Sequence, residues 1–146
     1  LKTLSFVLGG RENLDEIEEN EIETLQVIRV RAFNSLMNIS NFKKLKSLQI
    51  EDQIKLEELH FDKEKASLKA FKLINCKKFK TLSGLENLRN LNQLRIYKKE
   101  IDFKEFVKGP FPKSLDILAF YTSKVKIDKG IKEELLKLGY KDGLER

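Results

Sequence analysis

Apolar residues recur at a fixed distance along this chain, and such a recurrence constrains architecture more tightly than any single motif. Short segments beginning at Ile22, Leu45, Leu68 and Leu91, each 23 residues after the last, read IETLQV, LKSLQI, LKAFKL and LNQLRI. Each carries apolar residues at its first, fourth and sixth places. LKTLSF, starting 21 residues before Ile22, and LDILAF, starting 24 residues after Leu91, are looser copies, which makes about six. The likeness runs past the opening motif: Ile22, Leu25, Val27, Val30, Phe33, Leu36, Ile39 and Phe42 align with Leu68, Phe71, Leu73, Cys76, Phe79, Leu82, Leu85 and Leu88. Alternation around the fourth to sixth places suits a short strand that points two side chains into a core. The later three-residue spacing suits a tight helical or extended return. A unit so built cannot bury its apolar face alone, so neighbouring units must stack.

The spacing resembles the leucine-rich repeat, L-x-x-L-x-L-x-x-N/C-x-L, and LKAFKLINC, with Cys76 in the N/C place, is the closest copy. LSGLENLRNLNQLRI is similar to repeats of bacterial internalin-type proteins, and LKAFKLINCKKFKTL to those of plant immune receptors. The resemblance implies an α/β solenoid: a curved parallel β-sheet on the concave side, and short helices, 3-10 turns or loops on the convex side. Residues 1–123 hold the repeats, starting near 1, 22, 45, 68, 91 and 115, and 124–146 form a C-terminal cap. Val30, Gln53, Lys99, Ser123 and Gly9 stand where Asn or Cys is usual, so the ladder those side chains build in the family is expected to be incomplete and the solenoid irregular.

Three stretches depart from the pattern. An acidic segment, Arg11 to Glu23, reads as a solvated outer helix or loop. In KLEELHFDKEKAS the run LEELHF imitates a strand start and offers an alternative register from Leu56. In IDFKEFVKGPFP, Gly109, Pro110 and Pro112 stop a short helix carrying Phe103, Phe106 and Val107. Beyond the last repeat, Asp128 is positioned to cap a helix with Ile131, Leu135 and Leu138 on one face, and Gly139 to end it. Such a lid closes the apolar edge of a final repeat. The chain begins at Leu1 without a methionine and reads as truncated; either further repeats or a cap precede it, or the first repeat acts as its own cap.

At 146 residues, 40% apolar and 36% charged, the chain is sized for one domain and too hydrophobic for disorder, and it has no apolar run long enough to span a membrane. A single cysteine excludes an internal disulfide framework. With no basic, apolar leader in view, a cytoplasmic setting fits better than a secreted one. Residues 1–24 carry net −5, leaving +11 for the remainder of a basic chain of net charge +6. That asymmetry either steers a charged partner or is ordinary solvation.

If the first, fourth and sixth places face the core, the residues between them face the partner side of the sheet. The third place reads Thr3, Thr24, Ser47, Ala70, Gln93, Ile117; the fifth Ser5, Gln26, Gln49, Lys72, Arg95, Ala119; the seventh Val7, Ile28, Glu51, Ile74, Tyr97, Tyr121. Tyr97 and Tyr121 adjoin, with Ile74 beside them and Arg95 next door, and Tyr and Arg often anchor protein interfaces. Tyr97, Tyr121, Arg95, Lys72, Ile74, Gln49 and Glu51 are therefore the candidate partner-binding residues. The alternative for the tyrosines is that they only cover the sheet. Basic residues beside tyrosines also suit nucleic acid, but Glu51 and Asp52 would repel phosphate.

No constellation for catalysis stands out. His60 is the only histidine, so a His-pair metal site is excluded, and Cys76 reads as a buried structural residue on the far side of the solenoid from His60. The glycines form no phosphate-binding loop, and Glu57 and Glu58 are spaced like a solvated surface. No metal or other cofactor is expected. The expected function is protein–protein recognition on the concave face rather than enzymatic activity. The alternative is a scaffold region of a larger signalling or toxin-neutralising protein, with nucleic-acid binding less favoured.

Overall fold

The computed structural model describes residues 2–9, 17–30, 41–61, 64–98, 103–107 and 110–141. The chain winds as a parallel β-solenoid of about four turns with one long C-terminal helix. Its main sheet contains β1 (Thr3–Gly9), β2 (Thr24–Val30), β3 (Ser47–Glu51), β5 (Ala70–Ile74), β7 (Gln93–Tyr97) and β8 (Ile117–Tyr121), all parallel and adjacent in that order. Within β2, β3, β5 and β7 the even-placed side chains are buried: Leu25 and Val27, Leu48 and Ile50, Phe71 and Leu73, Leu94 and Ile96. Leu45, Leu68, Leu91 and Leu115, at the first place of their segments, are also buried, and these side chains belong to one continuous core.

The backbone repeats with the side chains. One carbonyl on each turn accepts the two N–H groups that open the next strand. Lys2 O takes those of Glu23 and Thr24, Glu23 O those of Lys46 and Ser47, Lys46 O those of Lys69 and Ala70, and Lys69 O those of Asn92 and Gln93, all at 2.8–3.1 Å. Polar groups that would be costly to bury unpaired are thus satisfied the same way turn after turn. At the other end of the strand, Arg29, Asp52 and Asn75 occupy equivalent places and share a left-handed φ of 53°, so the backbone takes the same turn at the same point in three turns. Just beyond, Gln53 is buried and its Nε2 donates to Val27 O and Glu51 O at 2.9 Å. In its place one turn later Cys76 is buried, its Sγ 3.6 Å from Ile74 O. Gln53 thus ties one turn to the one before, although neither Asn nor Cys stands there.

The stretch around Leu56 does form a strand, but not in the main sheet. β4 (Glu58–His60) pairs in parallel with β6 (Thr81–Ser83) as a separate two-stranded sheet on the return side. β3 keeps its place between β2 and β5, so the register starting at Leu56 is not used. β6 runs into Gly84 and a 3-10 turn, Leu85–Asn87. The short helix expected near Phe106 is α1 (Phe103–Phe106), and Phe106 packs edge-on to Phe120 at 4.7 Å. Phe33, Leu36, Ile39, Lys99, Gly109 and the acidic residues 12, 15 and 16 lie outside the described residues.

At the C-terminal end α2 (Val125–Lys137) closes over β8. Asp128 is not its cap. The helix starts three residues earlier, with Lys124 at the N-cap and no side-chain cap bond. Asp128 sits in the first turn, where its Oδ1 accepts from the Thr122 N–H at 2.7 Å and hydroxyl at 2.6 Å. That ties the helix to the end of β8. Ile131 and Leu135 are buried as expected, whereas Leu138 is 56% exposed because the helix has already ended there. Gly139, at φ 97°, donates to Leu136 O, and Tyr140 to Leu135 O, both at 3.1 Å, the paired bonds of a Schellman stop. The chain then returns along the sheet edge: Lys141 N–H donates to Asp116 O at 2.8 Å and Lys141 O accepts from Leu118 N–H at 3.3 Å. The start of the outer edge of β8 is thereby paired, which shortens the template left for unwanted strand addition.

Candidate binding surface on the open face of the sheet

Strand pairing fixes three columns on the face turned away from the core. Thr3, Thr24, Ser47, Ala70, Gln93 and Ile117 lie in register, as do Ser5, Gln26, Gln49, Lys72, Arg95 and Ala119, and Val7, Ile28, Glu51, Ile74, Tyr97 and Tyr121. These are the third, fifth and seventh places of the repeated segment. The seven candidate residues therefore form one contiguous block over β3, β5, β7 and β8, two columns wide.

Within that block the Tyr97 and Tyr121 rings meet edge to face, centroids 5.8 Å apart at 74°. The Lys72 Nζ stands 5.6 Å from the centre of the Tyr97 ring, within cation–π range. Tyr121 is 46% exposed, and the hydroxyl of Tyr97 is sealed from solvent without a hydrogen-bond partner among the described residues. Arg95 is held along its own strand, its Nη1 donating to Gln93 Oε1 at 2.7 Å. Gln49 Nε2 donates to Glu51 Oε2 at 3.2 Å. Ser5 and Gln26 are bonded to one another at 2.9 Å at the far end of the same face. Ala119 is buried, so the fifth-place column stops being a surface at β8.

Several charges outside this face are matched between turns. Lys43 meets Glu19 at 2.8 Å, Lys44 meets Glu21 at 3.2 Å and Lys46 meets Glu23 at 3.0 Å. Lys46, through its hydrogen bond and charge, holds the Glu23 carboxyl below its ordinary range, with Lys2 and Lys44 adding to the effect. Arg29 bonds Asp52 at 3.0 Å, Arg89 meets Glu64 at 3.2 Å and Lys141 meets Asp116 at 3.1 Å. Part of the acidic end seen in the sequence is thus neutralised by lysines of the following turn.

One polar cluster was not anticipated. His60 Nδ1 bonds Ser83 Oγ across β4 and β6, and His60 Nε2 lies 3.3 Å from Glu58 Oε2. The order serine, histidine, carboxylate is that of a nucleophilic triad. The His60 and Glu58 side chains are 41% and 62% exposed, and preorganised charge stabilises transition states chiefly where water is excluded. The 23-residue offset from His60 to Ser83 was the available signal. Cys76 is elsewhere, just past β5, and burial pushes its thiol up to about 11. A crevice between β8 and α2, lined by Ala119, Ile131, Leu135 and Tyr140 among others, encloses about 230 Å³ including its open mouth, below the size of ordinary ligand pockets. Among the described residues no three His, Cys, Asp or Glu side chains come together as a metal site, and no helix is long and apolar enough to cross a membrane.

Compared with protein-family models, curated proteins and solved structures, the chain matches none.

Proposed function

We propose that this chain is a leucine-rich-repeat recognition module that binds a protein partner through the open face of its main sheet, and that it is not an enzyme. On this reading residues 1–123 are about six repeats, residues 124–146 are their cap, and the open face is the concave one. The repeat assignment draws support from the 23-residue spacing, from one parallel strand at each segment, and from buried Gln53 and Cys76 in the N/C place.

The observation that carries the function is the block of Lys72, Ile74, Arg95, Tyr97 and Tyr121, contiguous on neighbouring strands. Aromatic side chains supply binding energy with few rotatable bonds to freeze, and Arg95 is already oriented by its bond to Gln93. Most of the remaining face is small or uncharged: Thr24, Ser47 and Ala70 on one side, and Gln26 and Ile28 farther along. A partner can approach it closely.

The test is an affinity capture from native lysate with the full chain and with the Tyr97→Ala/Tyr121→Ala variant, read by mass spectrometry. A discrete protein captured by the wild type and lost from a folded variant is the expected result. Equal capture by both would refute the surface, and recovery of nucleic acid alone would replace the reading with a phosphate-binding one.

A further inference from the structure

The seventh-place column of the open face is apolar or aromatic except at one point. Val7, Ile28, Ile74, Tyr97 and Tyr121 follow one another across the strands, and Glu51 interrupts them between Ile28 and Ile74. Val7 is 56% and Tyr121 46% exposed, and the members between them are half-buried. The Glu51 carboxylate takes a hydrogen bond from Gln49 at 3.2 Å, and among the described residues it forms no ion pair, whereas Asp52 beside it bonds Arg29 at 3.0 Å. The open-face neighbours of Glu51 on its own strand and on β2 are uncharged: Ser47, Gln49, Thr24, Gln26 and Ile28. On β5, Lys72 is turned to the Tyr97 ring of β7, 5.6 Å from its centre. An apolar group that covers the column desolvates this carboxylate, and an occupant that brings no cation to it meets a penalty.

Strand spacing selects the shape of such an occupant. From β2 to β8 the column crosses five adjacent strands. Their four intervals come to about 19 Å, at about 4.8 Å each. One seam of a helix, with side chains alternately four and three residues apart, covers five places in about 21 Å. Same-face side chains of an extended segment stand about 6.8 Å apart and need about 27 Å for five places, so they lose step with the strands.

From this we infer that the open face takes an amphipathic helix of the partner, laid across the strands along this column. Apolar residues of its seam pack on Ile28, Ile74, Tyr97 and Tyr121, and a Lys or Arg at the second place of the seam meets Glu51. This rests on the recognition reading above and specifies its ligand. The helix has its N-terminus over β2, which turns the positive end of its dipole toward Glu51. The cation then fixes register as well as partner, because a slip of one turn leaves Glu51 under an apolar side chain.

The inference is tested by ¹⁵N NMR titration of the full chain with three helical peptides of about 20 residues, each with a leucine seam and identical except for Lys, Gln or Glu at its second place. The Lys peptide is expected to shift amides of β2, β3, β5, β7 and β8 and to bind about tenfold more tightly than the Gln peptide, with the Glu peptide weakest. Glu51→Gln, whose spectrum reports the intact fold, should bind the Lys and Gln peptides alike, and Glu51→Lys should prefer the Glu peptide. A Lys peptide with two prolines between seam positions cannot form the helix and should not bind. Equal affinities for the wild type, an unchanged order in Glu51→Lys, equal binding of the proline peptide, shifts confined to other elements, or no shifts with any peptide overturns it. The two readings fail separately: a protein captured by the wild type and lost from Tyr97→Ala/Tyr121→Ala, but held equally by Glu51→Lys, refutes the cation contact and leaves the surface in place.

Discussion

Replacing Gly84 by alanine adds one methyl group at the point where the return sheet turns into its 3-10 helix, and two separate features of the backbone oppose it. Gly84 has φ 77°, a conformation that costs an L-residue about 1–2 kcal/mol. A Cβ there would also stand 2.3 Å from the carbonyl oxygen of Phe61 and 2.8 Å from its carbon. That neighbour is backbone and cannot swing aside. Phe61 is pinned because its N–H donates to Ser83 O at 3.0 Å and its carbonyl accepts from Asn87 Nδ2, while its ring is buried edge-on to Phe71 at 5.7 Å. Making room breaks at least one of those bonds, and a buried group left unpaired costs about 1–3 kcal/mol. The two contributions together give about 2–5 kcal/mol, or a fall in Tm of roughly 6–15 °C for a chain of this size. Gly130 is the internal control. It lies in α2 with nothing within 4 Å of an added Cβ, so Gly130→Ala should raise stability by about 0.5–1 kcal/mol. Thermal and urea denaturation followed by circular dichroism read both. A Gly84→Ala protein as stable as the wild type, or as stable as Gly130→Ala, would show that β4 and β6 do not approach as described.

Three further perturbations follow from the core. Phe71 is 1% exposed and stands in register between Leu48 and Leu94; Phe71→Ala should cost about 3–5 kcal/mol in urea denaturation, and wild-type stability would contradict its burial. Lys65 is buried where Phe42 and Leu88 stand one turn before and after, and its Nζ donates to Phe42 O at 2.5 Å. That carbonyl keeps its bond from Leu45 N–H when the lysine is lost, so Lys65→Leu should stabilise the chain by about 1 kcal/mol in the same assay. Burial lowers the Lys65 pKa from 10.5. Between the folded value and 10.5 the unfolded chain binds the extra proton, and wild-type stability should gain from this residue as pH rises to 10.5; the gain should vanish in Lys65→Leu. Cys76 acts in the opposite sense. Its thiol is raised from 9.0 to about 11, so the unfolded chain ionises first and the residue's contribution is lost as pH rises through that interval. Ellman's reagent at about pH 8 should therefore react far faster with urea-unfolded than with native protein, and equal rates would refute the burial of Cys76.

The columns of the open face were legible because a parallel solenoid converts sequence distance directly into strand register. Thr3 pairs with Thr24 at an offset of 21, Thr24 with Ser47, Ser47 with Ala70 and Ala70 with Gln93 at 23, and Gln93 with Ile117 at 24, the same intervals that separate the repeated segments. Local signals were weaker guides. LEELHF alternates as a strand should, but its sheet is decided by the availability of Thr81–Ser83, a partner in another turn. Asp128 looked like a helix cap because Asp commonly serves as one, yet its carboxylate is engaged by Thr122, and that contact depends on how α2 lies against β8. Lys65 broke an apolar column in the sequence, but only the carbonyl of Phe42 explains how its ammonium is accommodated.

The charges obey the same arithmetic as the leucines. Lys43 and Glu19 are 24 residues apart, Lys44 and Glu21 are 23 apart, as are Lys46 and Glu23, and Asp52 and Arg29. These pairs lie at the surface, where water and salt screen them, so stability alone is a weak reason for the pattern. Its consequence is electrostatic: the acids at 19, 21 and 23 are matched before they can steer a partner over any distance. A summed charge of net −5 over residues 1–24 therefore overstates the field at that end. For a surface of this kind the arrangement of charges between turns, and not their sum along the chain, sets which partner it can accept.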